Sequence, residues 1–299
     1  MILIYIMTSV KYHKTSQLGK RPTNEDSEVC FLNLDSNGNV VNKNYAPVDL
    51  FIICDGHNGN TISEYVSRRL HEYLRNPSII YPASKNVLVN VFKSIHNELK
   101  ENFYKESYVS GTTALVVIRC FDKDLRQILQ VINCGDCRAV MSESGRAIPL
   151  TIDHKPNLPG EKKRISIVNE KVSKDRVEEI WFDGDSWRVH NLSVSRALGD
   201  FDSHPQITYI PDIYNYYVKS NNSILIMGCD GLWDEIDNSE AINFVYDHYY
   251  DNQIETYNIE GVYPTSTSLK SQNIAHKLAT YAIARGSSDN VSVIIIFFK

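Results

Sequence analysis

The sequence predicts an α+β fold in a single domain, built from antiparallel strands and amphipathic helices. Two segments carry apolar residues at helical spacing, and several runs rich in Val, Ile and Leu follow one another with short turns between them. The chain has 299 residues, of which 42% are hydrophobic and 22% charged, a composition typical of a globular protein with a sizeable core. No repeat or linker divides the chain, so we expect one domain with long connections.

The first half of the chain predicts a strand, two helices and a set of hairpins. Residues 1–7 are apolar but too short to span a membrane, and they lack the flanks of a targeting signal. We therefore expect residues 1–10 to form an extension or an edge strand. The apolar run 51–54 predicts a buried strand. Helices are predicted over residues 60–75 and 85–105, and further strands over residues 112–120, 127–134 and 138–141.

The second half alternates polar connections with apolar elements. Residues 153–190 are polar and match neither the helix period nor the strand period, so we expect a mobile surface segment. A second polar stretch, 251–267, is expected to be a loop. Strands are predicted over residues 224–229 and 291–298, and helices over residues 239–249 and 271–285, the last one ended by Gly286.

Charge and cysteine content limit the functional classes. The net charge of −5 argues against a surface that binds nucleic acid or an anionic membrane over the whole molecule. Six cysteines are scattered along the chain, and four of them close apolar runs, where a free thiol packs as a small apolar side chain. Reduced cysteines are typical of intracellular proteins. We expect an intracellular location, in the cytoplasm or alternatively in the nucleus, without nucleic-acid or membrane partners.

Aspartates stand where four apolar runs meet turns. Asp55, Asp136 and Asp230 follow such runs, and Asp289 shortly precedes the last one. A single Asp-Gly pair is a common turn and needs no other explanation. Four acids at strand ends can nevertheless meet in space, and clustered carboxylates repel one another unless cations or protons lie between them. The pattern therefore favours a metal site.

Further polar residues extend this hypothesis. Taken singly, Glu25 and Asp26 are typical of solvated charge, and a lone His57 is typical of a structural histidine. With Asp55, Asp230 and Asp289 added, the pair Glu25 and Asp26 completes enough carboxylates for two divalent cations, and Mg²⁺ or Mn²⁺ is the usual partner of carboxylate and water. Two such ions about 3.5–4 Å apart can activate a shared water. Arg21 could then bind two phosphate oxygens, and His57 could protonate a leaving alkoxide.

Eight short motifs occur in order along the chain. They are residues 21–26 (RPTNED), 55–59 (DGHNG), 110–114 (SGTTA), 133–139 (NCGDCRA), 153–156 (DHKP), 192–202 (LSVSRALGDFD), 229–234 (CDGLWD) and 288–290 (SDN). Together they resemble the metal-dependent protein serine/threonine phosphatases of the type 2C (PPM) family. The resemblance extends from Tyr12 to Phe298, and residues 194–200 are its most distinctive part.

The resemblance implies a fold and a reaction. The fold is a pair of packed antiparallel β-sheets flanked by α-helices on both faces, an α-β-β-α sandwich, with one phosphatase domain over residues 11–299. Residues 156–190 correspond to a variable flap beside the site, and Arg196 to a structural arginine near its base. The implied reaction is hydrolysis of phosphoserine or phosphothreonine in phosphoprotein substrates by a water activated between two Mg²⁺ or Mn²⁺ ions, without a covalent intermediate. We expect the protein to act as a monomer.

The resemblance also implies a role for each candidate site residue. Asp55 is similar to a ligand of both ions. Asp230 and Asp289 complete the site of one ion, and Glu25 and the Gly56 carbonyl that of the other, while Asp26 resembles a carboxylate beside the metal waters. Asp136, with Asp230, resembles a ligand of a weaker third ion. Arg21 is implied to bind the substrate phosphate, and His57 to be the general acid.

Two departures and three alternatives accompany this interpretation. Asn58 stands where the family has glycine, and Cys137 forms a lone Cys-x-x-Cys with Cys134, with no second pair to complete a zinc site. A cysteine-dependent phosphatase would use Cys120 and Arg126, but two acids lie between them and no glycine does. A kinase would need a glycine-rich loop, which is missing. A catalytically inactive, phosphatase-like scaffold would be expected to lack a metal carboxylate, whereas all of them are present.

Overall fold

The computed structural model describes residues 10–34, 47–219, 223–250 and 273–298. The strands are β1 (Val10–Gln17), β2 (Ser27–Phe31), β3 (Asp49–Cys54), β4 (Gly56–His57), β5 (Gly111–Thr112), β6 (Ala114–Phe121), β7 (Gln127–Cys134), β8 (Arg138–Glu143), β9 (Arg146–Pro149), β10 (Trp181–Phe182), β11 (Trp187–Arg188), β12 (Leu198–Gly199), β13 (Asp212–Tyr217), β14 (Ile224–Gly228) and β15 (Val291–Phe298). The helices are α1 (Thr61–Leu74), α2 (Lys85–Asn102), α3 (Pro159–Asn169), α4 (Asp230–Trp233), α5 (Asn238–Val245) and α6 (Ile274–Arg285).

Two five-stranded antiparallel sheets form the centre of the fold. One has the strand order β1-β15-β14-β8-β9, and the other has the order β13-β7-β6-β3-β2. Successive side chains of a strand point to opposite faces, and β3 shows the consequence. Phe51 and Ile53 belong to the core between the sheets, whereas Leu50 and Ile52 belong to the core under α1 and α2. Both faces of the sheet are therefore buried.

The outer face of the other sheet is covered in the same way. Ile226 and Ile295, on β14 and β15, pack in one cluster with Ile242 of α5 and Leu278 of α6. The layers thus run helix, sheet, sheet, helix, which confirms the predicted α-β-β-α sandwich. Burial of aliphatic side chains on both sheet faces is the main contribution to the stability of such a fold.

The predicted helices occur with small shifts at their ends. The Ser84 side chain accepts a hydrogen bond from Val87 N at the start of α2, and the Asn273 side chain accepts one from His276 N at the start of α6. Gly286, with φ of 137°, follows α6 as predicted. The helix expected over residues 239–249 is α5 followed by a π turn at Tyr246–Tyr250. No helix among the described residues combines the length and the apolarity needed to cross a bilayer.

The expectation of an irregular segment over residues 153–190 is wrong in part. This segment contains α3 and the hairpin β10–β11. The helix begins at Pro159, whose fixed φ suits a first turn. It buries only Glu161 and Ile165, so it has no apolar stripe that could reveal its period. The predictions for residues 1–9 and 251–267 lie outside the described residues.

Candidate metal centre

The ends of three buried strands place aspartates at one edge of the sandwich. Asp55 follows β3, Asp136 follows the Gly135 turn after β7, and Asp230 follows β14. One carboxylate oxygen from each of these three side chains lies within 4.8 Å of the other two. Gly135 has φ of 122°, and a Cβ there would lie 2.4 Å from the Thr113 side chain. Only glycine allows this turn to pack so closely.

A second cluster shares Asp55. An oxygen of Asp26 and the sulfur of Cys229 lie within 4.8 Å of Asp55 and of each other. The Cys229 thiol contacts Asn290 O at 3.3 Å and accepts a hydrogen bond from Ser292 N at 3.2 Å. Burial raises the pKa of this thiol well above its usual range, so the sulfur remains protonated. Cys229 therefore packs against β15, as predicted for cysteines that close apolar runs.

The clustered carboxylates oppose one another's ionisation. Burial and then repulsion by Asp230, Asp26 and Asp136 raise the pKa of Asp55 well above its usual range. Burial and the Asp136 charge raise the pKa of Asp230 to about 8, although the nearby Lys155 opposes this rise. Burial raises the pKa of Asp26 to about 6. At neutral pH this cluster needs added protons or cations.

The donors fit a hard divalent cation. Asp26 Oδ2 and Asp136 Oδ1 are buried and have no hydrogen-bond partner among the described residues. A buried carboxylate oxygen without a hydrogen-bond partner destabilises the folded state unless a ligand binds to it. Carboxylate and carbonyl oxygens are the ligands that Mg²⁺ and Mn²⁺ prefer. Asp26, Asp55, Asp136 and Asp230 are therefore the residues best placed to hold such ions.

The other predicted ligands lie at the rim of this centre. Asp289 accepts a hydrogen bond from Arg21 Nη2 at 2.7 Å, and its charge contributes to the raised pKa of Asp55. Glu25 Oε1 accepts one from Gly59 N at 2.8 Å. Within the described part of the chain, neither Glu25 nor Asp289 has an oxygen in the two clusters above.

Gly56 connects the rim to the first turn after β3. A Cβ at this position would lie 2.4 Å from Glu25 O and 2.9 Å from the Ser63 hydroxyl. The absence of a side chain therefore lets the two backbone segments meet. Two residues further, Asn58 adopts φ of 58°, and its side chain donates a hydrogen bond to Val109 O at 2.7 Å. The departure from glycine is accommodated by the residue type that best tolerates this φ.

His57 contacts a carboxylate that the sequence analysis did not single out. Its Nε2 lies 2.7 Å from Asp200 Oδ1. Asp200 is 1% exposed, has φ of 50°, and packs so closely against Gly111 that a Cβ there would lie 2.0 Å from Oδ2. Burial disfavours the imidazolium, but the charge and hydrogen bond of Asp200, together with the charges of Asp136 and Glu25, hold the pKa of His57 above its ordinary value. Asp200 is the last residue of the distinctive motif at residues 194–200, but the motif alone did not indicate a contact with His57.

Lys155 is the second residue without a predicted role. Its ammonium donates a hydrogen bond to Asp136 Oδ2 and lies 3.9 Å from Asp230 Oδ2. The neighbouring His154 holds the backbone in place, because its Nδ1 accepts a hydrogen bond from Gly135 N at 3.0 Å and its Nε2 lies 3.2 Å from Asp212 Oδ2. A positive charge is thus fixed inside the acidic cluster.

The thiols give no support to the cysteine-based alternatives. Cys120 is fully buried, and burial raises its pKa to about 12, so it carries no thiolate at neutral pH. Cys134 contacts Thr208 O at 3.7 Å, whereas Cys137 lies 3.2 Å from the Thr113 hydroxyl in a different core cluster. These cysteines serve packing.

Comparison with known proteins identifies the family. The family model described as Protein phosphatase 2C matches residues 11–291. The chain belongs to the protein phosphatase 2C family. The predicted resemblance is therefore confirmed at the level of the family.

Individual relatives match over different lengths. The PP2C-like domain-containing protein R307 of Acanthamoeba polyphaga mimivirus is 56% identical over 174 residues, which are 58% of this chain and 96% of that protein. Mouse protein phosphatase 1E is 29% identical over 298 residues, 99% of this chain but 35% of the relative. The chain thus spans about a third of that longer phosphatase.

A solved structure supports the fold. A phosphatase from a pathogenic strain of Toxoplasma gondii superposes with a TM-score of 0.73 over 98% of this chain and 93% of that chain, at 20% sequence identity. At this level of identity the likeness bears on the fold alone. It agrees with the observed sandwich.

Proposed function

We propose that the protein is a metal-dependent serine/threonine protein phosphatase that hydrolyses phosphoserine and phosphothreonine in phosphoproteins. The observation that carries this proposal is the convergence of Asp26, Asp55, Asp136 and Asp230, two of which have buried oxygens that find no hydrogen-bond partner in the described part of the chain. Membership of the protein phosphatase 2C family supports the same reaction class. An inactive scaffold would have no reason to maintain so costly a cluster of carboxylates.

The metal ligands proposed are those predicted from the resemblance. Asp55 would serve two ions, with Asp230 and Asp289 completing one site, and with Glu25 and the Gly56 carbonyl completing the other. Asp26 would act on the water around the ions. When bound, two Mg²⁺ or Mn²⁺ ions supply the positive charge for the phosphoryl group and lower the pKa of water.

Arg21 would hold the substrate phosphate. About half of its side chain is exposed, and one edge of the guanidinium donates to Asp289. A planar guanidinium can bind two phosphoryl oxygens at once, which a lysine cannot. Arg21 would therefore orient the phosphorus atom toward the acidic cluster.

His57 would give the leaving oxygen its proton. The hydrogen bond from Nε2 to Asp200 fixes the plane of the ring and favours the charged imidazolium. Nδ1 is then the nitrogen that hands its proton to the Ser or Thr oxygen as the P–O bond breaks. This oxygen needs the proton because an alkoxide is a poor leaving group.

The test is hydrolysis of a phosphothreonine peptide by chelator-treated protein, with and without added Mn²⁺ or Mg²⁺. We expect turnover only with the metal. Asp230→Asn should lower the rate by about 10³-fold or more, the equivalent of about 4 kcal/mol of transition-state stabilisation. Asp185→Asn, at an exposed position of the β10–β11 turn, is the matched control and should leave the rate unchanged. A folded wild-type protein without metal-dependent turnover would rule out the proposal.

A further inference from the structure

We propose that the Lys155 ammonium is a built-in cation that occupies the accessory end of the metal centre and so limits how many divalent cations the site holds. This inference rests on the proposed function, because it assigns a role within the same carboxylate cluster. It concerns the site formed by Asp136 and Asp230, which the resemblance implies to be the weakest of three.

The position of Lys155 carries the proposal. Its Nζ hydrogen-bonds Asp136 Oδ2 and lies 3.9 Å from Asp230 Oδ2, so it lies close to both carboxylates. A divalent cation bound to the same two carboxylates would need oxygens at about 2.0–2.1 Å for Mg²⁺. The ammonium uses one of those oxygens and repels any second positive charge at such short range. Lysine and ion therefore compete.

The Asp136 carboxylate indicates that a cation can bind at this end of the metal centre. The residue is 1% exposed, and its Oδ1 is buried without a hydrogen-bond partner among the described residues. Lys155 satisfies Oδ2 alone, so the ammonium only partly completes the carboxylate. A cation that replaced the ammonium could contact both oxygens.

Lys155 is held in place and is not a flexible surface side chain. The ammonium-bearing side chain is 28% exposed. The backbone before it is fixed because His154 O accepts hydrogen bonds from both the backbone N–H and the hydroxyl of Ser195, at 2.8 and 3.0 Å. The Lys155 carbonyl accepts one from Leu158 N at 3.2 Å. An ion entering this end of the site must therefore displace an anchored charge, which makes its binding weak.

The variant that tests this is Lys155→Met, which keeps an unbranched side chain nearly as long as that of lysine and removes the charge. Calorimetric titration of chelator-treated protein with Mn²⁺ gives the number of ions bound and the affinity of each, without any assay of activity. We expect the weakest ion to bind at least 10-fold more tightly in Lys155→Met than in the wild type. Lys155→Arg, which retains the charge, should not show this gain.

A double variant locates the effect. In Lys155→Met/Asp136→Asn the gain should disappear, because the carboxylate shared by ammonium and ion has been removed. If Lys155→Met proves unstable without metal, its melting temperature as a function of Mn²⁺ concentration provides a second measurement. That melting temperature should rise more steeply with Mn²⁺ than the melting temperature of the wild type.

The outcomes separate this inference from the proposed function. If the wild type binds Mn²⁺ but Lys155→Met binds it with the same affinity and number, the role of Lys155 is refuted while the metal centre stands. If the gain persists in the Asp136→Asn background, the competition is not for this carboxylate and the inference is again refuted. If neither protein binds Mn²⁺, the metal centre itself is refuted, and the proposed function with it.

Discussion

Replacement of Asp230 by asparagine should make the metal-free protein more stable. Burial and the charge of Asp136 raise the pKa of Asp230 to about 8 from an ordinary value of 3.8. The folded state therefore takes up a proton that the unfolded chain releases. The contribution of Asp230 to stability is complete below about pH 4 and is lost as the pH rises toward 8, by about 1.4 kcal/mol for each unit. At pH 7 the loss is about 4 kcal/mol, which sets the upper limit of the gain from Asp230→Asn.

Urea unfolding in the presence of chelator measures this gain. We expect Asp230→Asn to exceed the wild type by about 2–4 kcal/mol at pH 8, because a neutral amide has no charge to desolvate, and by much less at pH 5. Asp185→Asn is the control, and its free energy of unfolding should stay within about 0.5 kcal/mol of the wild type at both pH values.

Addition of Mn²⁺ should reverse the order of stability, so that the wild type becomes more stable than Asp230→Asn. A ligand that binds only the folded state stabilises it in proportion to the logarithm of its concentration, and Asp230→Asn has lost part of the site. The electrostatic reasoning would be wrong if Asp230→Asn were less stable than the wild type in chelator at pH 8, or if the difference did not change with pH.

Three further predictions concern His57, Asp200 and His96. His57→Ala should lower the rate on a phosphothreonine peptide far more than on an aryl phosphate, whose leaving group needs little protonation; equal losses would remove the acid role. Asp200→Asn should show the same substrate pattern and should add little to His57→Ala, whereas additive losses would show that it acts elsewhere. Burial lowers the pKa of His96 to about 3, so the folded state gains stability as the pH rises from 3 toward 6.5. When the pH is lowered from 7 to 5, the free energy of unfolding in urea should therefore fall by about 2 kcal/mol less for His96→Phe than for the wild type. An unchanged pH dependence of this free energy would contradict the prediction.

The parts of the fold that sequence patterns predict are those in which each strand or helix is apolar on its own. The strands β3, β6 and β15 are buried at every position, and all but one residue in each of them is apolar. Residue patterns predicted antiparallel strands and helices, but the packing of two sheets came from the resemblance to a family. Helix α3 escaped prediction because its buried face holds Glu161, which is held by ion pairs with Arg164 and Arg196. When a helix buries a polar side chain, its buried face does not appear as apolar residues at helical spacing in the sequence.

In the site, too, some residues can be predicted from their neighbours in the sequence, whereas others depend on contacts between distant segments. Aspartates at the ends of apolar runs could be identified from their immediate neighbours. Asp200 could not, because its partner His57 is 143 residues away and the contact exists only once β12 pairs with β5. Lys155 lies 19 residues from Asp136 and reaches it through a loop anchored by His154. Both roles depend on tertiary contacts between segments that are polar and irregular.

These contacts suggest that one electrostatic problem governs both the stability and the activity of the protein. Buried carboxylates can be neutralised by protons, by the tethered ammonium of Lys155 or by divalent cations. Protons are favoured as the pH falls, since the pKa of Asp230 is about 8 and that of Asp26 about 6. Burial lowers the pKa of Lys155, but Asp136 and Asp230 together raise it by more, so the pKa lies above its ordinary value. The ammonium is therefore present at any physiological pH. Of the three, only the divalent cations would also supply the chemistry of the proposed phosphate hydrolysis. Metal affinity should therefore rise with pH until the carboxylates are ionised, and removal of the lysine charge should strengthen ion binding at every pH.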